Sequence, residues 1–136
     1  MDDVILSIYS IIKRCLVRIE EEYVGHEDEL TTNFTRQDAI ILNIQRASYA
    51  AQDLANRVIR LKQLGIPQES RESFSLLSDH GYVPVDLADS MIKMVGFRNI
   101  AVHEYQKLNV DILKVVIEEH VQEIKLFAEE AMKSFQ

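Results

Sequence analysis

The stretch TRQDAIILNIQRASYAAQDLANRVIRLKQLG, residues 35–65, decides the fold class of this chain. Its apolar residues recur every three or four positions, which is the spacing of one face of an amphipathic helix. Thr35 and Asp38 resemble a capping box at its start, with Asp in place of the usual Glu. Gly65 is expected to close the helix, and Pro67 prevents it from resuming. Small residues would let a neighbouring helix approach closely; they are Ala47, Ser48, Ala50, Ala51 and Ala55.

Helical spacing also recurs on both sides of this stretch. Four further segments are predicted to be helices: 3–23, 70–78, 84–103 and 110–131. The chain has only four Gly and two Pro, and its sequence contains no strand pattern longer than three residues, which argues against a β fold with many turns. We therefore predict an all-α fold, an antiparallel bundle of four long helices plus one short helix, in a single domain spanning residues 1–136.

The composition places the chain among ordinary soluble proteins, with 47% hydrophobic and 27% charged residues. The sequence holds no run of about 18 apolar residues and no basic stretch before its first apolar residues, so we expect no membrane span and no secretory signal. The single Cys15 lies on the apolar stripe of the first helix and is interpreted as a core residue rather than a nucleophile or metal ligand. These features predict a cytoplasmic protein.

The charges are distributed unevenly. A net charge of −7 argues against broad, nonspecific coating of nucleic acid. Residues 36–71 nevertheless carry six basic and three acidic groups, and residues 91–108 carry three basic and one acidic group. If these two segments pack together, an acidic protein still presents a basic cleft. The alternative is that the basic residues of the second helix are solvated charges; they are Arg46, Arg57, Arg60 and Lys62.

The segment RNIAVHEY, residues 98–105, carries the strongest chemical signal. Arg98 offers a planar fork for phosphate oxygens, and His103 is able to move protons near neutral pH. On an ideal helix Arg98 and Tyr105 share a face, whereas His103 lies about 140° away from Arg98. Either the helix ends or loosens before His103, or a two-fold dimer brings two copies of the segment together. Structural roles stay open too: a capping cation, a histidine at a helix C-terminus and a tyrosine at the core edge.

Other polar residues favour structural interpretations. His26 stands beside three carboxylates but lacks a second helical ligand, so a solvated loop is favoured over a metal site. His80 is interpreted as a turn residue and His120 as a residue at the core edge. Asp53 and Arg57 have the spacing of a surface ion pair on one helix. We expect neither a bound metal nor a cofactor.

The ten residues GFRNIAVHEY, 96–105, resemble the signature of the HEPN superfamily and, more narrowly, of the HepT toxins. That motif is Arg, four residues, His, one residue and Tyr, usually with Asn after the Arg. The segment 36–40 and the Ala-rich stretch after it also resemble the second helix of this family. The resemblance covers roughly residues 3–135, nearly the whole chain.

The resemblance implies a homodimeric all-α bundle in which two Arg–His motifs meet at a cleft and cleave RNA without a metal. Arg98 and His103 would be catalytic, and Asn99 would support them. HepT toxins are paired with a minimal nucleotidyltransferase antitoxin, which transfers AMP from ATP to the motif tyrosine, here Tyr105, and silences the toxin. Two alternatives remain: a HEPN module that binds a nucleotide or protein without catalysis, and a structural subunit that only docks the nucleotidyltransferase.

Overall fold

A computed structural model describes the backbone of residues 1–103 and 109–136, and the side chains of residues 1–99 and 109–136. Helices dominate both ranges: α1 (Asp3–Tyr23), α2 (Phe34–Lys62), α3 (Ser70–Asp79), α4 (Val85–His103), α5 (Val110–Val115) and α6 (Val121–Met132). Short 3₁₀ turns occupy Glu27–Glu29 and Lys133–Phe135, and a π-helical turn, Val116–His120, joins α5 to α6. The described ranges contain no strand, which confirms the predicted all-α bundle.

The core forms around α2, which packs along α1 and also contacts α3, α4 and α6. Its inward face is rich in Ala, and Ala47, Ala51 and Ala55 are completely buried there. Side chains this small allow the neighbouring helices to approach closely, as the sequence predicted. Farther along, Phe74 of α3 meets Phe127 of α6 edge to face, with ring centroids 5.2 Å apart, and joins these two helices.

The predicted start of α2, near Thr35, agrees with the observed start at Phe34, but the predicted capping residues were wrong at both ends. Asn33, not Thr35, caps the helix, because its side chain accepts a hydrogen bond from the Arg36 backbone N–H at 3.1 Å. At the other end Gln63 takes the left-handed conformation, with φ of 56°, and α2 stops at Lys62 rather than running to Gly65. The left-handed position that ends a helix is usually given to Gly, so the sequence pointed two residues too far.

The predicted last helix is divided by the π-helical turn Val116–His120. Its apolar residues still face the core, since Val116, Ile117 and Val121 are all buried. A π turn accommodates one extra residue without disturbing the apolar spacing on either side, and that spacing therefore does not predict it.

The expected ion pair between Asp53 and Arg57 was wrong. Arg57 Nη2 instead lies 2.8 Å from Asp2 Oδ2, which links α2 to the start of α1. Asp2 also caps α1 by accepting a hydrogen bond from the Ile5 backbone N–H at 3.0 Å. The hydrogen bond from Arg57 is the main reason that the pKa of Asp2 falls below its ordinary value of 3.8.

The predicted core position of Cys15 is confirmed. Cys15 is buried in the core, and burial raises the pKa of its thiol. No helix in the described ranges is long and apolar enough to cross a membrane.

Candidate functional site

Arg98, the first residue of the motif, points from α4 into a junction of three helices. It is only 5% exposed. Its guanidinium lies over the ring of Tyr49 on α2, with the guanidinium carbon 4.3 Å from the ring centroid. Its Nη2 donates a long hydrogen bond, 3.5 Å, to Oγ of Ser70, the first residue of α3. The alternative in which Arg98 is a helix-capping cation is therefore wrong.

The guanidinium of Arg98 has hydrogen-bonding capacity to spare. Its Nε and Nη1 are buried, and neither has a hydrogen-bond partner within residues 1–99 and 109–136. A buried donor without a partner costs about 1–3 kcal/mol, so such groups are rare unless a ligand or another chain completes them. Stacking on Tyr49 compensates only in part, because an aromatic face offers no lone pairs. An anion that belongs to a ligand or to another chain would satisfy these donors.

The two basic segments of the sequence do meet here. Arg98 belongs to the second of them and packs on Tyr49, which lies within the first. Beyond Tyr49, a groove of about 550 Å³ runs between α1 and α2, and Arg14, Arg18 and Arg46 line it. We call this the α1–α2 groove. The condition stated for a basic cleft, that the central helix packs against the Arg98 segment, is therefore met.

The other motif residues are described less fully. Asn99 is exposed on α4, next to Arg98. His103 is the last residue of α4, and its side chain lies outside the described residues, as does the whole of Tyr105. Because α4 continues through His103, the alternative in which the helix ends or loosens before that residue is wrong. A continuous helix places position 103 about 140° around α4 from position 98.

The remaining histidines have local partners. His26 Nδ1 lies 2.7 Å from Glu29 Oε2, and this contact is the main reason that the pKa of Glu29 is lowered. His120 Nδ1 lies 2.8 Å from Glu123 Oε1, and His80 Nδ1 lies 2.9 Å from the Leu76 carbonyl oxygen. His26 therefore orders a surface turn, in agreement with its predicted structural role.

Sequence reasoning missed Tyr49 and Ser70. Both contact Arg98, but one precedes it by 49 residues and the other by 28, so no local spacing connects them. The only available signal concerned Tyr49, an aromatic residue that stands among arginines on the exposed side of α2.

A cavity of about 570 Å³ lies between α4 and α5, and it is more apolar than the α1–α2 groove. Phe97, the residue before Arg98, lines it, together with Ile112 and Val115 of α5. Ile112 is 54% exposed and Val115 is 45% exposed. The motif helix therefore borders an uncovered apolar surface.

Fold and motif together define a helical HEPN-type domain, and comparisons with known proteins specify its family. A family profile described as "Ribonuclease HepT-like" matches residues 12–131. The chain is 46% identical, over 127 residues, to the mRNA nuclease HepT of Shewanella oneidensis, an alignment that covers 93% of this chain and 95% of that protein. The chain therefore belongs to the HepT-like ribonuclease family, which confirms the resemblance read from residues 96–105.

Solved structures agree with this assignment. The tri-AMPylated HEPN toxin of Shewanella oneidensis, in complex with an MNT antitoxin, superposes with a TM-score of 0.91 at 45% identity, covering 96% of this chain and 97% of that one. A toxin–antitoxin structure with AMP-PNP also gives a TM-score of 0.91, at 43% identity, covering 96% of this chain and 99% of that one.

Proposed function

We propose that this chain is the ribonuclease toxin of a toxin–antitoxin pair and that it cleaves RNA without a metal. The observation that carries the proposal is Arg98, a buried guanidinium with two unused donors inside the family motif. A nuclease that works without a metal needs such a cation, because charge builds up on the phosphoryl oxygens in the transition state. The relatives, an mRNA nuclease and a HEPN toxin, support the same activity.

The proposed chemistry uses one cation and proton transfer. The ribose 2′-oxygen attacks phosphorus and loses its proton, while the bond from phosphorus to the 5′-oxygen breaks and that oxygen gains a proton. The products are a 2′,3′-cyclic phosphate and a free 5′-hydroxyl. His103 serves proton transfer, since an imidazole titrates near working pH. Arg98 stabilises the phosphoryl oxygens, and Asn99 supports the site from the exposed side of α4.

A homodimer would complete this site. In one chain α4 is continuous, so positions 98 and 103 lie on different sides of it. A second copy related by two-fold symmetry would bring its own motif to the same cleft and supply a second imidazole. One imidazole would then act as base and the other as acid. The uncovered apolar residues of α5 beside the motif helix, Ile112 and Val115, support burial against another chain.

The antitoxin would act on Tyr105. We propose that a minimal nucleotidyltransferase binds ATP, that the Tyr105 phenolic oxygen attacks the α-phosphorus, and that pyrophosphate leaves as the phenol loses its proton. The product carries an anionic phosphodiester in the cleft, which would pair with Arg98 and exclude RNA. The tri-AMPylated toxin and the AMP-PNP complex among the relatives support this regulation.

Cleavage by the purified protein tests the activity. Wild-type protein should cut a single-stranded RNA in the presence of EDTA, because no step requires a metal. Arg98→Ala and His103→Ala should each abolish cleavage while the circular dichroism spectrum stays helical. Retained cleavage by His103→Ala would refute the proposed proton transfer, and RNA binding without cleavage by the wild type would favour the noncatalytic module.

Modification has a separate test. After co-expression with a minimal nucleotidyltransferase antitoxin, the toxin should carry one or more AMP groups on the peptide that contains Tyr105, as detected by mass spectrometry. Tyr105→Phe should still cleave RNA and resist silencing. An unmodified peptide, or silencing of the Phe variant, would contradict this part of the proposal.

We place the pair in the cytoplasm, where RNA and ATP are present.

A further inference from the structure

The α1–α2 groove joins the predicted site through a single side chain. Tyr49 packs one side of its ring on the guanidinium of Arg98, and it also lines the groove. The residue is 47% exposed. One phenol ring therefore connects the buried cation to an open channel on the surface.

The groove is electropositive in an acidic protein. Three arginines line it, against one carboxylate, that of Asp53. Arg18 pairs with Glu21 at 3.3 Å, but Arg14 and Arg46 form no ion pair with any residue in the described parts of the chain. Both are exposed, and both lie close enough to Cys15 at the groove floor for their charge to oppose the effect of burial on its pKa.

We propose that the α1–α2 groove holds the single-stranded RNA beside the scissile linkage, with Arg14 and Arg46 on backbone phosphates and Tyr49 stacked against a base. This inference rests on the proposed ribonuclease function and extends it to the path of the substrate. Grooves that bind single strands combine cations that follow the backbone with aromatic rings on which bases stack. Both elements are present here, next to Arg98.

The arrangement of Tyr49 suits a base better than a protein side chain. Its inner side is stacked on Arg98, which fixes the ring without covering its outer side. A base stacked on that outer side would place its own sugar–phosphate near Arg98. The same ring would then position the strand for cleavage, and it would do so for any base, because every base has a π face.

Binding can be separated from cleavage with a 2′-O-methylated oligonucleotide of about 12 residues, which lacks the attacking hydroxyl. Its affinity is measured by fluorescence anisotropy across a range of salt concentrations. The double variant Arg14→Ala/Arg46→Ala should bind at least tenfold more weakly, and the slope of log K against log salt should fall by about 1.4, at roughly 0.7 per phosphate contact on a single strand. Arg14→Lys/Arg46→Lys should keep the wild-type slope, because the charge is retained.

A matched control removes the same charge elsewhere. Lys13→Ala/Lys125→Ala takes two cations from α1 and α6, and neither residue lines the groove. This variant should bind with nearly the wild-type slope. An equal loss in the control would show that net charge alone governs binding, and it would overturn the groove as a specific path.

Tyr49 has its own pair of variants. Tyr49→Phe should bind as the wild type does, whereas Tyr49→Leu should lose roughly 10- to 100-fold in affinity, since stacking contributes about 1–3 kcal/mol per base. In cleavage assays Arg14→Ala/Arg46→Ala should raise KM for a long RNA by a larger factor than KM for a dinucleotide, whereas Tyr49→Leu should raise KM for both. Wild-type affinity in Tyr49→Leu would refute the stacking.

The outcomes distinguish this inference from the proposed function. If His103→Ala abolishes cleavage but Arg14→Ala/Arg46→Ala keeps the wild-type affinity and slope, the groove proposal fails and the ribonuclease stands. If the groove variants lose affinity while His103→Ala still cleaves, the groove stands and the proposed chemistry fails. If sedimentation shows that the groove variants change the oligomeric state, the groove is a subunit interface and the inference is overturned.

Discussion

Arg98→Met should make the protein more stable while it abolishes RNA cleavage. Methionine is shorter than arginine, but it is unbranched and flexible and suits an irregular buried space. The substitution removes a buried cation whose Nε and Nη1 have no partner among the residues that the structure describes. If the guanidinium serves the chemistry rather than the fold, its removal should raise the free energy of unfolding.

The magnitude follows from the contacts of Arg98. Two unsatisfied buried donors cost about 1–3 kcal/mol each. The variant gives up the stacking on Tyr49, about 1–2 kcal/mol, and the long hydrogen bond to Ser70, at most about 1 kcal/mol. At the centres of these ranges, the free energy of unfolding should therefore rise by about 2 kcal/mol. For a chain of 136 residues, this corresponds to a Tm higher by about 4–10 °C.

Thermal unfolding followed by circular dichroism measures this change, with denaturant titration as a second readout. Arg71→Met is the matched control, because Arg71 is exposed one residue after Ser70, and its Tm should move by less than about 2 °C. A Tm for Arg98→Met below that of the wild type would refute the reasoning. It would mean that the guanidinium stabilises the fold and that its donors are satisfied in the free protein.

Three further predictions concern the fold. Asp2→Asn keeps a capping side chain but loses the charge that pairs with Arg57, so it should be less stable at neutral pH. Because the folded pKa of Asp2 is lowered, its contribution is complete above the ordinary value of 3.8 and is lost as the pH falls through the lower folded pKa; the gap between the denaturant midpoints of variant and wild type should narrow as the pH is lowered below 3.8, and a gap that does not narrow would contradict the pairing. Asn33→Ala should reduce the free energy of unfolding by about 1 kcal/mol, whereas Thr35→Ala should change it little. A larger loss for Thr35→Ala than for Asn33→Ala would show that Thr35 caps the helix. Cys15, buried and with a raised pKa, should react with iodoacetamide at pH 8 far more slowly in the native than in the denatured protein; equal rates would show an open thiol.

Apolar spacing was enough to predict the fold class, because residues three and four apart share a helix face whatever lies opposite. The residues at which the helices begin and end were harder to predict. Thr35 and Gly65 have the residue types that cap helices, yet Asn33 and Gln63 take those positions. Capping depends on local hydrogen bonds and on φ, and several neighbouring residues are able to supply them.

The sequence predicted only those residues of the site that lie close together along the chain. The motif pointed to Arg98 because Asn99, His103 and Tyr105 complete a family pattern with it, but that pattern does not indicate what the guanidinium touches. Tyr49 and Ser70 reach Arg98 through the packing of α2 and α3 against α4, so only the folded chain identifies them. The roles of Arg98, Asn99, His103 and Tyr105 stay predictions.

The central claim is that two protomers share one catalytic cleft, and mixed dimers test it most directly. Wild-type and His103→Ala chains carrying different affinity tags are co-expressed with the antitoxin and then freed of it, and dimers bearing both tags are isolated. If one imidazole is the base and the other the acid, these mixed dimers should cleave RNA at no more than about 1% of the rate of doubly tagged wild-type dimers. Mixed dimers that retain half of the wild-type rate, or a protein that cleaves as a monomer, would contradict the shared cleft.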